Sequence, residues 1–145
     1  MSEARELLRR IGQGQPAAEP ADEVTGPAFG YLRGTRDRAD HVEFRLADGT
    51  VKSFPYSWLG PAAFDPSAGI SLDFVGDRTH RVTIEGRNLD RRAGEDGADL
   101  FTRGFLRHRV TWVREMDPDE SRRLPEAATA VERVTIRKLV PGEGD

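Results

Sequence analysis

From residue 29 onward apolar and polar side chains alternate with a period of two, the pattern of strands with one buried and one wet face. Val42, Phe44 and Leu46 alternate with Glu43 and Arg45, and Asp48-Gly49 follows as a strong hairpin signal. A two-residue loop would set Arg45 opposite Lys52, a like-charge pair. A three-residue loop with Gly49 left-handed sets Val42 opposite Phe54 instead, and that bulged form is the one expected. Pro55 offers no ladder donor, so this second strand should be short or lie at an edge. Asp65-Pro66-Ser67-Ala68-Gly69 has turn chemistry. Ile70, Leu72 and Phe74 then alternate with Ser71 and Asp73, Gly76-Asp77 turn the chain, and Val82 and Ile84 supply a partner, which makes residues 69–86 a predicted hairpin. Two further alternating stretches, residues 109–115 and 131–139, predict two more strands. The intervening residues 116–130 read as loop with at most one turn of helix.

The period shifts to 3.6 in two places. Phe101, Phe105 and His108 fall at i, i+4 and i+7, with Asp96 as cap and Asp99 in the first turn, which predicts one short amphipathic helix near residues 98–107. Gly104 in its middle costs about 1 kcal/mol relative to alanine, so either a neighbour approaches closely there or the helix is two pieces. At the other end of the chain Leu7, Leu8 and Ile11 form one stripe between Ser2 and Gly12, predicting a short helix over residues 2–11. Residues 12–28 have the Gly, Pro, Ala and acid content of a flexible linker. The expected organisation is therefore a helix and linker over residues 1–27 and a single β-rich domain over 28–145. Its fold class is α+β, mainly antiparallel, a small barrel or curled sheet of six to seven strands.

Arg-Val-Thr-Ile at 81–84, Arg-Val-Thr-Trp at 109–112 and Arg-Val-Thr-Ile at 133–136 recur, but their flanks do not, and convergence on good strand residues accounts for them. Val82-Thr83-Ile84-Glu85-Gly86-Arg87-Asn88-Leu89 resembles the second signature of the Sm-like small barrels: an apolar residue, a basic one, glycine, two variable positions and an apolar one. Glu85 stands where that family has the basic residue, and nothing upstream supplies the asparagine of the first signature. The resemblance implies a small barrel and does not extend to RNA binding.

Composition changes the picture by exclusion. The 145 residues contain no cysteine, which removes disulfides, thiolate metal sites and cysteine nucleophiles. No apolar run has the length of a membrane span, and a soluble, cytoplasmic protein without membrane contact is expected. The net charge is only -3, which argues against a uniformly basic coat, yet all but two of the 22 basic residues are arginine. Nine of these arginines fall in residues 78–114 against five acids, leaving that segment at +4. If they share a face, Arg81, Arg87, Arg91, Arg92, Arg103, Arg107 and Arg109 are candidates for holding an anion or nucleic acid. Arginine favours this role because its planar fork matches phosphate oxygens.

Catalytic spacings are missing. His41, His80 and His108 stand in no metal-pair spacing, none of the six serines sits in a nucleophile elbow, and the glycines match no phosphate loop. The acids around Asp90 and Asp96 lack the alternation of a calcium loop. Pro118-Asp119 would need an acid-x-lysine triplet to begin a metal nuclease core, and only Glu132-Arg133-Val134 is present. No cofactor and no metal are expected. Phe54, Tyr56 and Trp58, interleaved with Pro55 and Pro61, offer either an aromatic ridge for a partner protein or a cap on the core. The expected function is a non-catalytic protein-interaction or assembly module, acting on a protein partner or on itself. The alternatives are nucleic-acid or polyanion binding through residues 78–114, and an enzyme whose carboxylate or histidine site assembles only in three dimensions.

Overall fold

The computed structural model describes residues 22–94 and 96–140. The predicted helix over residues 2–11 and most of the predicted linker lie outside the described residues. Nine strands are present among them: β1 (Glu23–Thr25), β2 (Phe29–Leu32), β3 (His41–Arg45), β4 (Val51–Pro55), β5 (Leu59–Asp65), β6 (Gly69–Val75), β7 (Thr79–Arg87), β8 (Val110–Arg114) and β9 (Ala130–Lys138). One α-helical turn and a half, α1 (Pro118–Arg123), starts at Asp117, whose carboxylate accepts from the Glu120 amide.

The strands form two sheets, ordered β1-β2-β8-β3-β4 and β5-β6-β7-β9. Every pairing is antiparallel except β3 with β8. The architecture is therefore mainly antiparallel, as expected, but it has more strands than expected and does not close into a barrel. The reason lies at Pro55. β4 is an edge strand, and from it a 3-10 turn over Tyr56–Trp58 carries the chain to β5, an edge of the other sheet. Two sheets result, with aromatic side chains between them: Phe54 stacks on Phe74 at 4.7 Å and Phe44 meets Phe74 at 6.1 Å. The faces they share are those predicted by alternation, since Val42, Phe44, Ile70, Leu72, Phe74, Val82 and Ile84 are all buried. Burying such side chains contributes about 1.5–3 kcal/mol each.

The β3–β4 hairpin has the expected register, with Val42 opposite Phe54, Arg45 opposite Val51, and Gly49 at φ +94°. The predicted 69–86 hairpin is β6–β7, with Ile70 opposite Ile84. Two of the recurring Arg-Val-Thr segments are neighbours, β7 and β9, pairing Thr83 with Thr135 and Ile84 with Val134.

Two local readings are corrected and one strand is added. Residues 23–25, linker by composition, form β1 because Val24 and its neighbours find a partner in β2. Strand β5 breaks the alternation rule with Gly60, Pro61 and two alanines, and is held by β6 along most of its length. The single helix near 98–107 is instead a π-helical turn over Leu100–Gly104 followed by a 3-10 turn over Phe105–Arg107. Asp99, not Asp96, is its cap, accepting from the amides of Thr102 at 2.7 Å and Arg103 at 3.1 Å. The break comes at Gly104, where a Cβ would lie 2.7 Å from both the Asp99 carbonyl and the Val110 side chain. Leu100 and Phe105 consequently enter the core, while Phe101 packs half-buried beside Phe64.

Candidate functional site

The residues singled out by sequence are dispersed. Phe54 and Tyr56 are core residues, 6% and 3% exposed, and only Trp58 remains accessible at 38%, its ring over Gly76. The Tyr56 hydroxyl donates to the Val110 carbonyl at 2.7 Å, and burial pushes its pKa above the ordinary range. Of the three aromatics, two are therefore packed in the core and Trp58 alone keeps a substantially exposed ring.

Five of the seven arginines serve as ties within the chain. Arg81 grips Asp73 with two hydrogen bonds, at 2.8 and 3.0 Å. Arg103 pairs with Asp99 at 3.0 Å. Arg109 is buried, donating to the carbonyls of Leu32 and Arg33 at 3.0 Å each and of Arg103 at 3.3 Å, with its guanidinium over the Tyr31 ring. Arg87 donates to the carbonyls of Ser121, Pro125 and Glu126. Arg92 donates from Nε to the Gly97 carbonyl at 3.1 Å. Arg91 and Arg107 are exposed. Arg103, Arg107 and Arg109 lie near one another with Arg109 buried, while Arg91 and Arg92, neighbours in the chain, line a pocket.

That pocket, about 390 Å³, opens where the β1 edge of one sheet faces the loop leading into β9 of the other. One wall is the β1–β2 hairpin from Val24 to Tyr31, whose turn is closed by the Gly26 amide donating to Phe29 at 3.0 Å. Phe29 and Tyr31, with ring centroids 5.8 Å apart, line it. A second wall is Arg91–Gly94. The third comprises Pro125 and Ala127–Thr129.

Asn88 holds the second and third walls together. Left-handed at φ +57°, it donates from Nδ2 to the carbonyls of Glu126 at 2.9 Å and Ala128 at 2.8 Å, and its own carbonyl accepts from the Thr129 hydroxyl and the Arg91 amide. Asparagine suits the position because it tolerates left-handed backbone and carries both donor and acceptor. Arg87, read from sequence as an anion ligand, supports the same loop through the carbonyls it holds. The pocket is thus preformed: apolar walls, two guanidinium groups at the mouth, and no ion pair for either of them among the described residues.

Its apolar wall residues escaped the sequence reading. Gly26-Pro27-Ala28 and Pro125-Glu126-Ala127-Ala128 look like connectors, and only the meeting of distant loops turns their small side chains into walls.

Two histidines share a second, more open groove with Arg38, Asp40, Pro55, Tyr56 and Ser57. His108, left-handed at φ +58°, lies flat on Tyr56 at 4.5 Å, and burial together with the Arg38 charge lowers its pKa. The adjoining tyrosine hydroxyl is committed to a main-chain carbonyl, so the arrangement supplies stacking rather than a poised acid and base. His80 lies elsewhere, with Nδ1 buried and unpartnered beside Phe54. Among the described residues no group of three or more acids and histidines is placed to hold a metal ion, and no helix is long and apolar enough to cross a membrane. Compared with protein-family models, curated proteins and solved structures, the chain matches none.

Proposed function

We propose that this chain is a non-catalytic protein-interaction module that takes an apolar segment of a partner protein into the pocket between the β1–β2 hairpin and the 125–129 loop. The observation that carries this reading is the pocket itself. It is concave and apolar-walled, with Asn88 and Arg87 holding its rim by five hydrogen bonds to main-chain carbonyls of the 121–128 stretch. Preformed concavity lowers the ordering cost of binding, and aromatic side chains beside small residues suit an inserted side chain. The internal ties favour this reading over a polyanion surface, because Arg81, Arg87, Arg103 and Arg109 spend their guanidinium groups within the chain, while Arg92 commits only its Nε and Arg91 is exposed.

Selection from a random peptide library on the full chain tests it. Ala127 is exposed and lines the pocket, so Ala127→Trp fills the space while leaving the core intact. Peptides recovered by the wild-type chain and lost by at least tenfold with Ala127→Trp are the expected outcome, with unfolding curves confirming that both chains are folded. Recovery of no peptides, or equal recovery by both chains, would remove the pocket from consideration.

A further inference from the structure

Resting on that reading, we infer the chemistry of the partner: an extended peptide that adds as a new strand along β1, seating an apolar side chain in the pocket and an acidic side chain two positions away against Arg91 and Arg92.

The register of β1 supplies the first half of the argument. Val24 pairs with Tyr31, Glu23 with Leu32 and Thr25 with Gly30. Flanking bonds run from the Arg33 amide to the Asp22 carbonyl at 2.9 Å and from the Gly26 amide to the Phe29 carbonyl. In an antiparallel pair the residues that exchange bonds alternate, so positions 22, 24 and 26 face β2. The amides and carbonyls of Glu23 and Thr25 are left pointing away from it. Among the described residues no strand pairs on that side, because β1 ends the five-stranded sheet. Such an edge is a template for an incoming strand.

The face of the sheet supplies the second half. Val24 stands across from Tyr31 and both line the pocket, so the pocket lies on the inward side of the β1 edge. An added strand would turn alternate side chains inward beside Val24. One of them meets Phe29, Tyr31 and the alanines of the far wall. Arg91 and Arg92 line the same pocket as Val24, and a neighbouring inward side chain is assigned to them. There an apolar residue would strand two guanidinium groups, a basic one would be repelled, and a carboxylate is complementary. Asp22 and Glu23 make the start of β1 acidic, so an acid of the peptide is disfavoured beside them.

The probes are eight-residue peptides from the library selection, resynthesised in three forms: as selected, with the acid replaced by lysine, and with alternate backbone amides N-methylated on the edge that would pair with β1. For the wild-type chain the lysine form should bind about tenfold more weakly, with a steeper salt dependence for the acidic form. The N-methylated form should lose tenfold or more through its missing main-chain bonds. Arg91→Glu, at an exposed side chain, should abolish the preference between acidic and lysine forms while leaving the unfolding midpoint in place. Peptides that are lost with Ala127→Trp, yet indifferent to N-methylation or to charge, would overturn this inference and leave the pocket reading standing. Loss of peptide binding altogether would overturn both. A concentration-dependent dimer, abolished by Ala127→Trp, would name a second copy as the occupant and overturn the peptide assignment.

Discussion

His108 shows how a residue placed by sequence on the stripe of a short helix is redefined by its contacts. It occupies a left-handed position, stacks on buried Tyr56 and feels Arg38, and its pKa falls below the ordinary histidine range, with burial the larger cause. A lowered folded-state pKa means that the unfolded chain takes up the proton first. The neutral imidazole's contribution is therefore complete above the unfolded value of about 6.5 and is lost as pH falls through the folded value. Asparagine accepts the same backbone, so His108→Asn should flatten the fall in unfolding midpoint between pH 7 and pH 5. Urea unfolding of both chains across that window, above the range in which carboxylates titrate, measures the difference. Parallel curves would show that the stack is indifferent to the charge.

At the scale of the element, the segment from Asp99 to Arg109 is decided by what presses on it. Intrinsic preference alone says that alanine at a helical glycine stabilises by about 1 kcal/mol. The 2.7 Å approach of the Asp99 carbonyl and the Val110 side chain reverses that sign, and Gly104→Ala should destabilise by about 1–3 kcal/mol as overpacking does. The sign of the change in a denaturant titration distinguishes the two. Arg109, which ends the segment, ties it to the end of β2 through the carbonyls of Leu32 and Arg33 and bonds back to that of Arg103. Arg109→Ala would leave them without their donor and should cost about 3 kcal/mol or more, with Arg109→Lys recovering only part because one ammonium cannot span the same fork. That loss of stability, read by thermal unfolding, is the signature of a structural tie. An anion ligand on the surface would leave the melting temperature almost unchanged when removed.

For the whole molecule, cohesion comes from the rings between the two sheets. Phe54→Ala removes a side chain stacked on Phe74 and touching the Phe44 ring, and should cost about 3–5 kcal/mol. Trp58→Ala, four residues on, removes a ring left partly in solvent and should cost much less, about 1 kcal/mol. Near-equal losses in equilibrium unfolding would contradict the division of this aromatic stretch into core and surface. The same two-sheet arrangement leaves an unfilled corner at the β1 edge, and that corner is the candidate site. A closed barrel would have no such edge.

Alternation was enough to place the buried faces of β3, β6 and β7, and turn chemistry at Gly49 was enough to set the register of the first hairpin. Both are properties of a few adjacent residues: side chains alternate because the backbone is pleated, and a left-handed turn position follows from the steric freedom of glycine. Gly104 likewise marked its own break. By contrast, the placing of β8 between β2 and β3, the partners of each arginine and the three walls of the pocket join segments far apart in the chain, as Val24 and Thr129 are. Such meetings leave no periodic trace in the chain. They are selected by the burial and hydrogen bonding of the assembled sheets, which outweigh any local preference, so connectors became walls and presumed ligands became ties only once the tertiary structure was formed.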